Sequence, residues 1–171
     1  MLYQFTALKE IDTRKLMDLY AEGNTVNAEE FYPNIADRSQ ALKRAEQDFI
    51  DFLETGFFTA PDRVYWVLEE DGVWVSAART CRIEDGLYYL EALETHPDYR
   101  RRGYAAKLLD AMLDALKRKG PFKLCDCVDK ENVPSIKTHK KCGFSVASDP
   151  AVNYLSGNTC DWEYGMEYSC I

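Results

Sequence analysis

Apolar side chains recur along this chain with two different periods, and the change of period divides it into elements. Three runs rich in Val, Ile, Leu, Tyr and Trp, over Arg63 to Glu69, Val73 to Ile83 and Leu87 to Thr95, are broken by Asp71-Gly72 and Asp85-Gly86. Both dipeptides favour the positive φ angles of tight hairpin turns, so the pattern predicts an antiparallel meander. After it the period changes. Ala105, Leu108, Leu109, Met112, Leu113 and Leu116 recur three or four residues apart, which makes a helix apolar on one side, and Gly120-Pro121 stops it. Phe122 to Val128 reads as a buried strand, Pro134 to Lys141 as a short helix, and Phe144 to Ala147 with Trp162 to Cys170 as a closing strand pair. Ahead of the meander, Leu2 to Leu8 predicts a strand, and Thr13 to Glu22 and Ser39 to Glu54 predict helices. Ser39 is the expected N-cap of the second, and Gly23 to Asn34 reads as irregular chain between them.

Strands and helices in that order make an α/β layout, one sheet with helices on its faces, in a single domain over residues 1–171. With 46% hydrophobic residues, a chain of this length builds a core without disulfide or metal staples. No run reaches the roughly 18 apolar residues of a membrane span, and the first residues lack the basic-then-apolar layout of a signal peptide, so no membrane partner and a cytoplasmic location are expected. The six cysteines are then expected as free thiols. Cys125-x-Cys127 with His139-x-x-Cys142 has a faint look of zinc ligands, but C-x-C on a strand suits packing on one face, and no metal is expected.

Charge changes the picture more than composition does. The chain carries a net charge of -8, yet residues 97–141 hold 12 basic and 6 acidic side chains. A long nucleic acid fits poorly with a pI near 4.8 and no interleaved aromatics, whereas a small multiply phosphorylated ligand suits a basic island in an acidic chain. At its centre, Arg100-Arg101-Arg102-Gly103 lies between a predicted strand and a helix start. Unpartnered N–H groups of a loop and first helical turn, the positive end of the helix dipole and a glycine that lets backbone approach a ligand make an anion site. The G-x-x-x-x-G-K-[ST] and G-x-G-x-x-G phosphate motifs are both absent.

Arg100-Arg101-Arg102-Gly103-Tyr104-Ala105 has instead the form [QR]-x-x-G-x-[GA], and Leu93-Glu94-Thr95-His96-Pro97 precedes it. Further on come Asn132-Val133-Pro134-Ser135 and Lys141-Cys142-Gly143-Phe144. In order and spacing these resemble the two signatures of the GNAT superfamily of N-acetyltransferases, over roughly residues 64–170. The resemblance implies the GNAT acyl-CoA N-acyltransferase fold, one mixed, largely antiparallel sheet of about six to seven strands with helices on both faces. It implies acetyl-CoA as the co-substrate. The ends of the fourth and fifth strands would part there, with backbone of Leu93, Glu94 and Thr95 facing the pantetheine arm. Main-chain N–H groups of Arg101, Arg102, Gly103, Tyr104, Ala105 and Ala106 would hold the pyrophosphate, with Arg100 at the motif's Gln/Arg position and Asn132 and Ser135 near the thiol.

Acetyl transfer to an amine needs a proton acceptor, a polarised carbonyl and an exit for the thiolate. Glu91, on the strand leading to the cofactor, is the first candidate base and Glu94 the second; a backbone N–H near Leu93 would steady the developing oxyanion. Where the family usually has a tyrosine that protonates the thiolate, this chain has His139, which reads either as that acid or as a structural histidine. The acceptor is expected to be a primary amine on a small molecule or peptide, attacking directly in a ternary complex, and the protein a monomer or homodimer. Gly23 to Asn34, with Glu29, Glu30, Phe31 and Tyr32, is the segment expected to shape the acceptor pocket. A GNAT-fold module that binds an acyl-CoA without turnover is the alternative.

Overall fold

The computed structural model describes residues 1–170. In chain order it contains β1 (Leu2–Phe5), α1 (Thr13–Leu19), α2 (Ala21–Phe31), α3 (Arg38–Phe52), β2 (Arg63–Glu70), β3 (Val73–Glu84), β4 (Leu87–Thr95), α4 (Tyr104–Lys117), β5 (Phe122–Asp129), α5 (Val133–Lys141), β6 (Ser145–Ser148), β7 (Ala151–Val152), β8 (Thr159–Cys160) and β9 (Glu163–Cys170). Seven strands form one sheet in the order β1-β2-β3-β4-β5-β9-β6, and β7 and β8 pair separately. Every neighbouring pair in the large sheet is antiparallel except β4 and β5.

Alternation along the central strands feeds a core on each face of the sheet. Trp66, Val75, Leu90, Leu124 and Met166 meet α4, whose Leu108, Leu109, Met112 and Leu116 are almost completely buried. Each such side chain contributes about 1.5–3 kcal/mol of burial, which makes α4 the best-anchored helix. On the other face Tyr65, Val67, Trp74 and Ala77 meet Leu16 and Leu19 of α1, together with Leu53 and Phe57 in the π-helical turn that ends α3.

The meander and α4 follow the predicted pattern, while the front third departs from it. Residues 23–34 are not irregular chain: α2 runs through Phe31. Gly23, Asn24, Thr25 and Asn27 are weak helix formers, so its sequence carries little local signal. It is held from outside. Ala28 packs on Ala41 and Ala45 of α3, and the Arg38 guanidinium donates to the carbonyls of Ala28 (2.8 Å), Tyr32 (3.1 Å) and Ile35 (3.1 Å) at the helix end. The predicted first helix breaks at Tyr20, and Asp37, rather than Ser39, caps α3 by accepting from Ser39 and Gln40. The first strand stops at Phe5.

Candidate functional site

The parallel pair β4–β5 is short. Its register runs Leu87–Lys123, Tyr88–Leu124 and Tyr89–Cys125 and goes no further, although β5 stays paired with β9 as far as Asp129–Glu163. Beyond Tyr89 the two strands part, and β4 presents an unpaired edge to the gap. On its other edge β4 is bulged. Arg79 pairs with Glu91 and Ala77 with Glu94, so Ala92 and Leu93 together face Ala78. Ala92 takes a φ of 54°, in the left-handed region that a residue with a Cβ seldom adopts. The Tyr20 hydroxyl fixes the bulge by donating to the Ala92 carbonyl at 2.7 Å. A bulge of this kind turns the next backbone groups out of the ladder.

Below the gap lies the arginine loop. Arg101 (φ 60°) and Gly103 (φ 82°) both turn left-handed, and a Cβ added at Gly103 would meet nothing within 4 Å. Gly103 starts α4 without a side-chain cap, so the N–H groups of the first turn keep no partner inside the helix. The loop and helix end thus have the open, donor-rich form that a pyrophosphate requires. The three arginines differ. Arg100 is tied to Glu22 of α2 (2.5 Å) and to Glu94 (3.2 Å), and its Nε donates to the Thr95 carbonyl at 3.2 Å. Arg102 lies over the Tyr99 ring at 5.1 Å, and Arg101 is exposed. Tyr104 and Ala105 are half-buried, Ala106 is buried in the core, and Leu93 packs against that core.

Glu94 accepts from the Thr95 N–H at 3.0 Å as well as from Arg100, and its carbonyl accepts from Ser76 at 2.6 Å, so it is bound into the junction. Glu91 lies on the same face of the sheet as Glu94, and its carboxylate is 3.1 Å from Arg79 Nε. That N–H is not aimed at the carboxylate, and Arg79 Nε and the Tyr65 hydroxyl are both buried without a hydrogen-bond partner among the described residues. The Arg79 guanidinium sits over Phe52 (5.0 Å), Phe57 (5.4 Å) and Phe49 (5.9 Å). Burial pushes the Tyr65 phenol up to about 12 and the Tyr20 phenol well above its usual value, so both stay neutral.

A cavity of about 320 Å³ opens beside these groups, walled by Asn27 and Phe31 of α2 and by Asp48 and Phe52 of α3, with Arg79 and Ala92 at its floor. Of the predicted pocket segment, Gly23, Asn24, Asn27 and Phe31 line this cavity. Glu29 and Glu30 are exposed and outside the lining; the acidic group there is Asp48, which accepts from the Tyr32 hydroxyl and lies 3.3 Å from Arg44 Nε.

On the other side of the gap, Asn132 caps α5 by accepting from the Ser135 N–H at 3.2 Å. His139, one turn on, is fully buried. Its Nε2 lies 2.9 Å from Asp126 Oδ2, and its Nδ1 lies 2.9 Å from the Ser135 carbonyl and 3.3 Å from the Ser135 hydroxyl. Both nitrogens of this imidazole are engaged inside the core, by Asp126 on one side and Ser135 on the other. Sequence reasoning overlooked Ala92, Arg79, Tyr20, Asp48 and Asp126. Only Arg79 and Asp126 left any trace, as charges inside otherwise apolar strand patterns.

A family model for the "Acetyltransferase (GNAT) family" matches residues 17–144. The L-methionine sulfoximine/L-methionine sulfone acetyltransferase of Salmonella typhimurium is 30% identical over 100 residues, covering 56% of this chain and 58% of that protein. The mycothiol acetyltransferase of Corynebacterium aurimucosum is 38% identical over 55 residues, covering 32% of this chain and 18% of that protein. In both cases the match spans less than two thirds of the relative. In fold, the chain is similar to the PaiA N-acetyltransferase of Thermoplasma acidophilum in complex with coenzyme A, with a TM-score of 0.66 at 16% identity over 99% of both chains. It is likewise similar to an acetyltransferase from Streptococcus agalactiae, with a TM-score of 0.67 at 18% identity over 99% of this chain and 98% of the other.

Proposed function

We propose that this chain, which belongs to the acetyltransferase (GNAT) family, moves the acetyl group of acetyl-CoA to a primary amine by direct attack in a ternary complex. One observation carries the reading: the bulge at Ala92 and Leu93 lies where β4 leaves β5, with the arginine loop on one side and the cavity floor at Arg79 and Ala92 on the other. A thioester lying in the gap and an amine in the cavity would meet at that bulge.

Each group has a part in this reading. The N–H groups from Arg101 to Ala106 hold the pyrophosphate, with the left-handed turn at Gly103 keeping side chains out of the cradle. The backbone of Leu93, Glu94 and Thr95 lines the pantetheine path, and the Leu93 N–H steadies charge on the thioester oxygen. Glu91 takes the amine's proton, directly or through a water molecule, with Arg79 as its counter-charge. Asn132 and Ser135 flank the thiol end.

The cavity lies at the small end of the range for small-molecule sites, which favours a compact acceptor over a folded protein. Asp48 suits the positive charge of an arriving ammonium, and the unmatched Arg79 N–H suits a carboxylate or other polar oxygen. An amino acid or short amine-bearing molecule satisfies both, and the Salmonella relative is named for two amino-acid acceptors.

The test is thiol release from acetyl-CoA in a screen of amino acids, polyamines, simple amines and peptides, with the acetylated product identified by mass spectrometry. Release that depends on one group of amines supports the proposal. Tight acetyl-CoA binding with no acceptor-dependent release would identify a binding module instead.

A further inference from the structure

Asp126, His139 and Ser135 form a line of polar contacts that begins inside the opening between the strands. Asp126 is the first residue of β5 beyond the last β4–β5 pair, and the line passes through the buried imidazole to the half-buried first turn of α5. The proton positions on this line follow from hydrogen-bond chemistry. The Ser135 carbonyl can only accept, so Nδ1 of His139, 2.9 Å away, carries a proton. Nε2 then faces Asp126 Oδ2 at 2.9 Å either as an imidazolium donating to a carboxylate or as an imidazole accepting from a carboxylic acid. In both arrangements the pair is neutral overall and holds one proton more than an imidazole beside a carboxylate.

The surroundings favour that extra proton. Side-chain exposure is 0% for His139 and 10% for Asp126, so a net charge on the pair is costly. Burial raises the Asp126 pKa against the pull of His139. Burial draws the His139 pKa down, but the hydrogen bond and charge of Asp126 and the Ser135 carbonyl outweigh it, and the net shift is upward. The Ser135 hydroxyl, 3.3 Å from Nδ1, can only accept from that protonated nitrogen. Its own proton therefore points away from the ring.

We propose that Ser135 donates the proton to the departing thiolate and that the buried His139–Asp126 pair resupplies it. This rests on the acetyltransferase reading above. When the carbon–sulfur bond breaks, its electron pair stays on sulfur. The Ser135 O–H bond breaks as the S–H bond forms, and the His139 Nδ1–H bond breaks as the hydroxyl is restored. His139 is left neutral with Nε2–H on the Asp126 carboxylate, and the proton released by the amine returns through solvent to recharge the pair. Ser135 is the catalytic residue; His139 and Asp126 are positioning residues that act through it.

Asp126→Asn separates orientation from proton supply. The new amide donates to Nε2 and keeps Nδ1–H on Ser135, but the imidazole is then neutral and has no proton to spare. In single-turnover acetyl transfer, Ser135→Ala and Asp126→Asn should each be slower by about 10²-fold, in the range of general acid catalysis. Ser135→Thr, which keeps a hydroxyl, should recover most of the rate that Ser135→Ala loses, and Asp126→Asn should bind acetyl-CoA with native affinity by calorimetry. The chain has two histidines, so nitrogen-15 NMR can follow His139 directly and should show a protonated Nδ1 in the native protein and in Asp126→Asn. Native rates in folded Ser135→Ala or Asp126→Asn, or a bare Nδ1 with the proton on Nε2, would overturn the proposal. If the native protein fails to bind acetyl-CoA, the acetyltransferase reading falls and takes this one with it, an outcome distinct from a rate that the variants leave unchanged.

Discussion

Replacing Gly103 with aspartate tests the phosphate cradle. At φ 82° any residue with a Cβ is strained, which costs about 1–2 kcal/mol of stability. Nothing lies within 4 Å of an added Cβ, so no clash adds to this and the fold should survive. The effect on binding is electrostatic. A carboxylate about 4 Å from a bound phosphate charge repels it by about 1 kcal/mol in water-like surroundings and about 4 kcal/mol at a partly shielded protein surface. Since 1.4 kcal/mol is about tenfold in affinity, Gly103→Asp should weaken acetyl-CoA by about fivefold at the lower figure and by several hundredfold at the upper. Gly103→Ala carries the same backbone strain without the charge and should lose much less. Calorimetric titration of both variants, beside their melting curves, separates the two contributions, and at 1 M salt, where the Debye length is about 3 Å, the gap between them should narrow. Native affinity in a folded Gly103→Asp protein would refute the cradle.

Four further outcomes follow from the same geometry. Glu91→Gln should slow transfer at neutral pH, and its deficit should shrink as pH rises and more of the amine arrives unprotonated; a deficit that is constant with pH would remove Glu91 as the base. His139→Phe leaves Asp126 buried and unpaired, so chemical denaturation should show a loss of about 3–5 kcal/mol at neutral pH. Burial alone holds that carboxyl's pKa above its unfolded value, so the loss should diminish at low pH, and native-like stability throughout would show the pair to be unimportant. In the native protein the raised His139 pKa gives stability that is complete below about 6.5 and declines as pH rises through the folded value, a decline that should be absent from Asp126→Asn. Tyr20→Phe loses the 2.7 Å bond that fixes the bulge and should cost about 1 kcal/mol of stability and lower kcat more than it alters acetyl-CoA affinity; an unchanged kcat would separate the bulge from the chemistry.

The meander, α4 and the arginine loop were legible because their signals are local: a hairpin dipeptide, a one-sided apolar period, a glycine after three arginines. α2 was not, since Gly23, Asn24 and Asn27 say nothing helical and the helix exists through Arg38 and the alanines of α3. The site divides the same way. Gly103 announces its positive φ by being glycine, whereas Ala92 adopts one with no such mark, because the bulge is set by the pairing of β3 with β4 and by Tyr20 from a distant helix. His139 stood out in sequence as a residue where a tyrosine was expected. Its partner Asp126, thirteen residues away on a strand that otherwise reads as buried and apolar, became meaningful only once α5 lay against β5.

The central claim, that acetyl-CoA lies between the parted strands and over the start of α4, is most directly tested by amide NMR during an acetyl-CoA titration. The account predicts saturable shifts at the N–H groups of Leu93 and of Arg101 to Ala106, with those of the β1–β2 edge unmoved. Saturation that leaves Arg101 to Ala106 unshifted while other amides respond would contradict it.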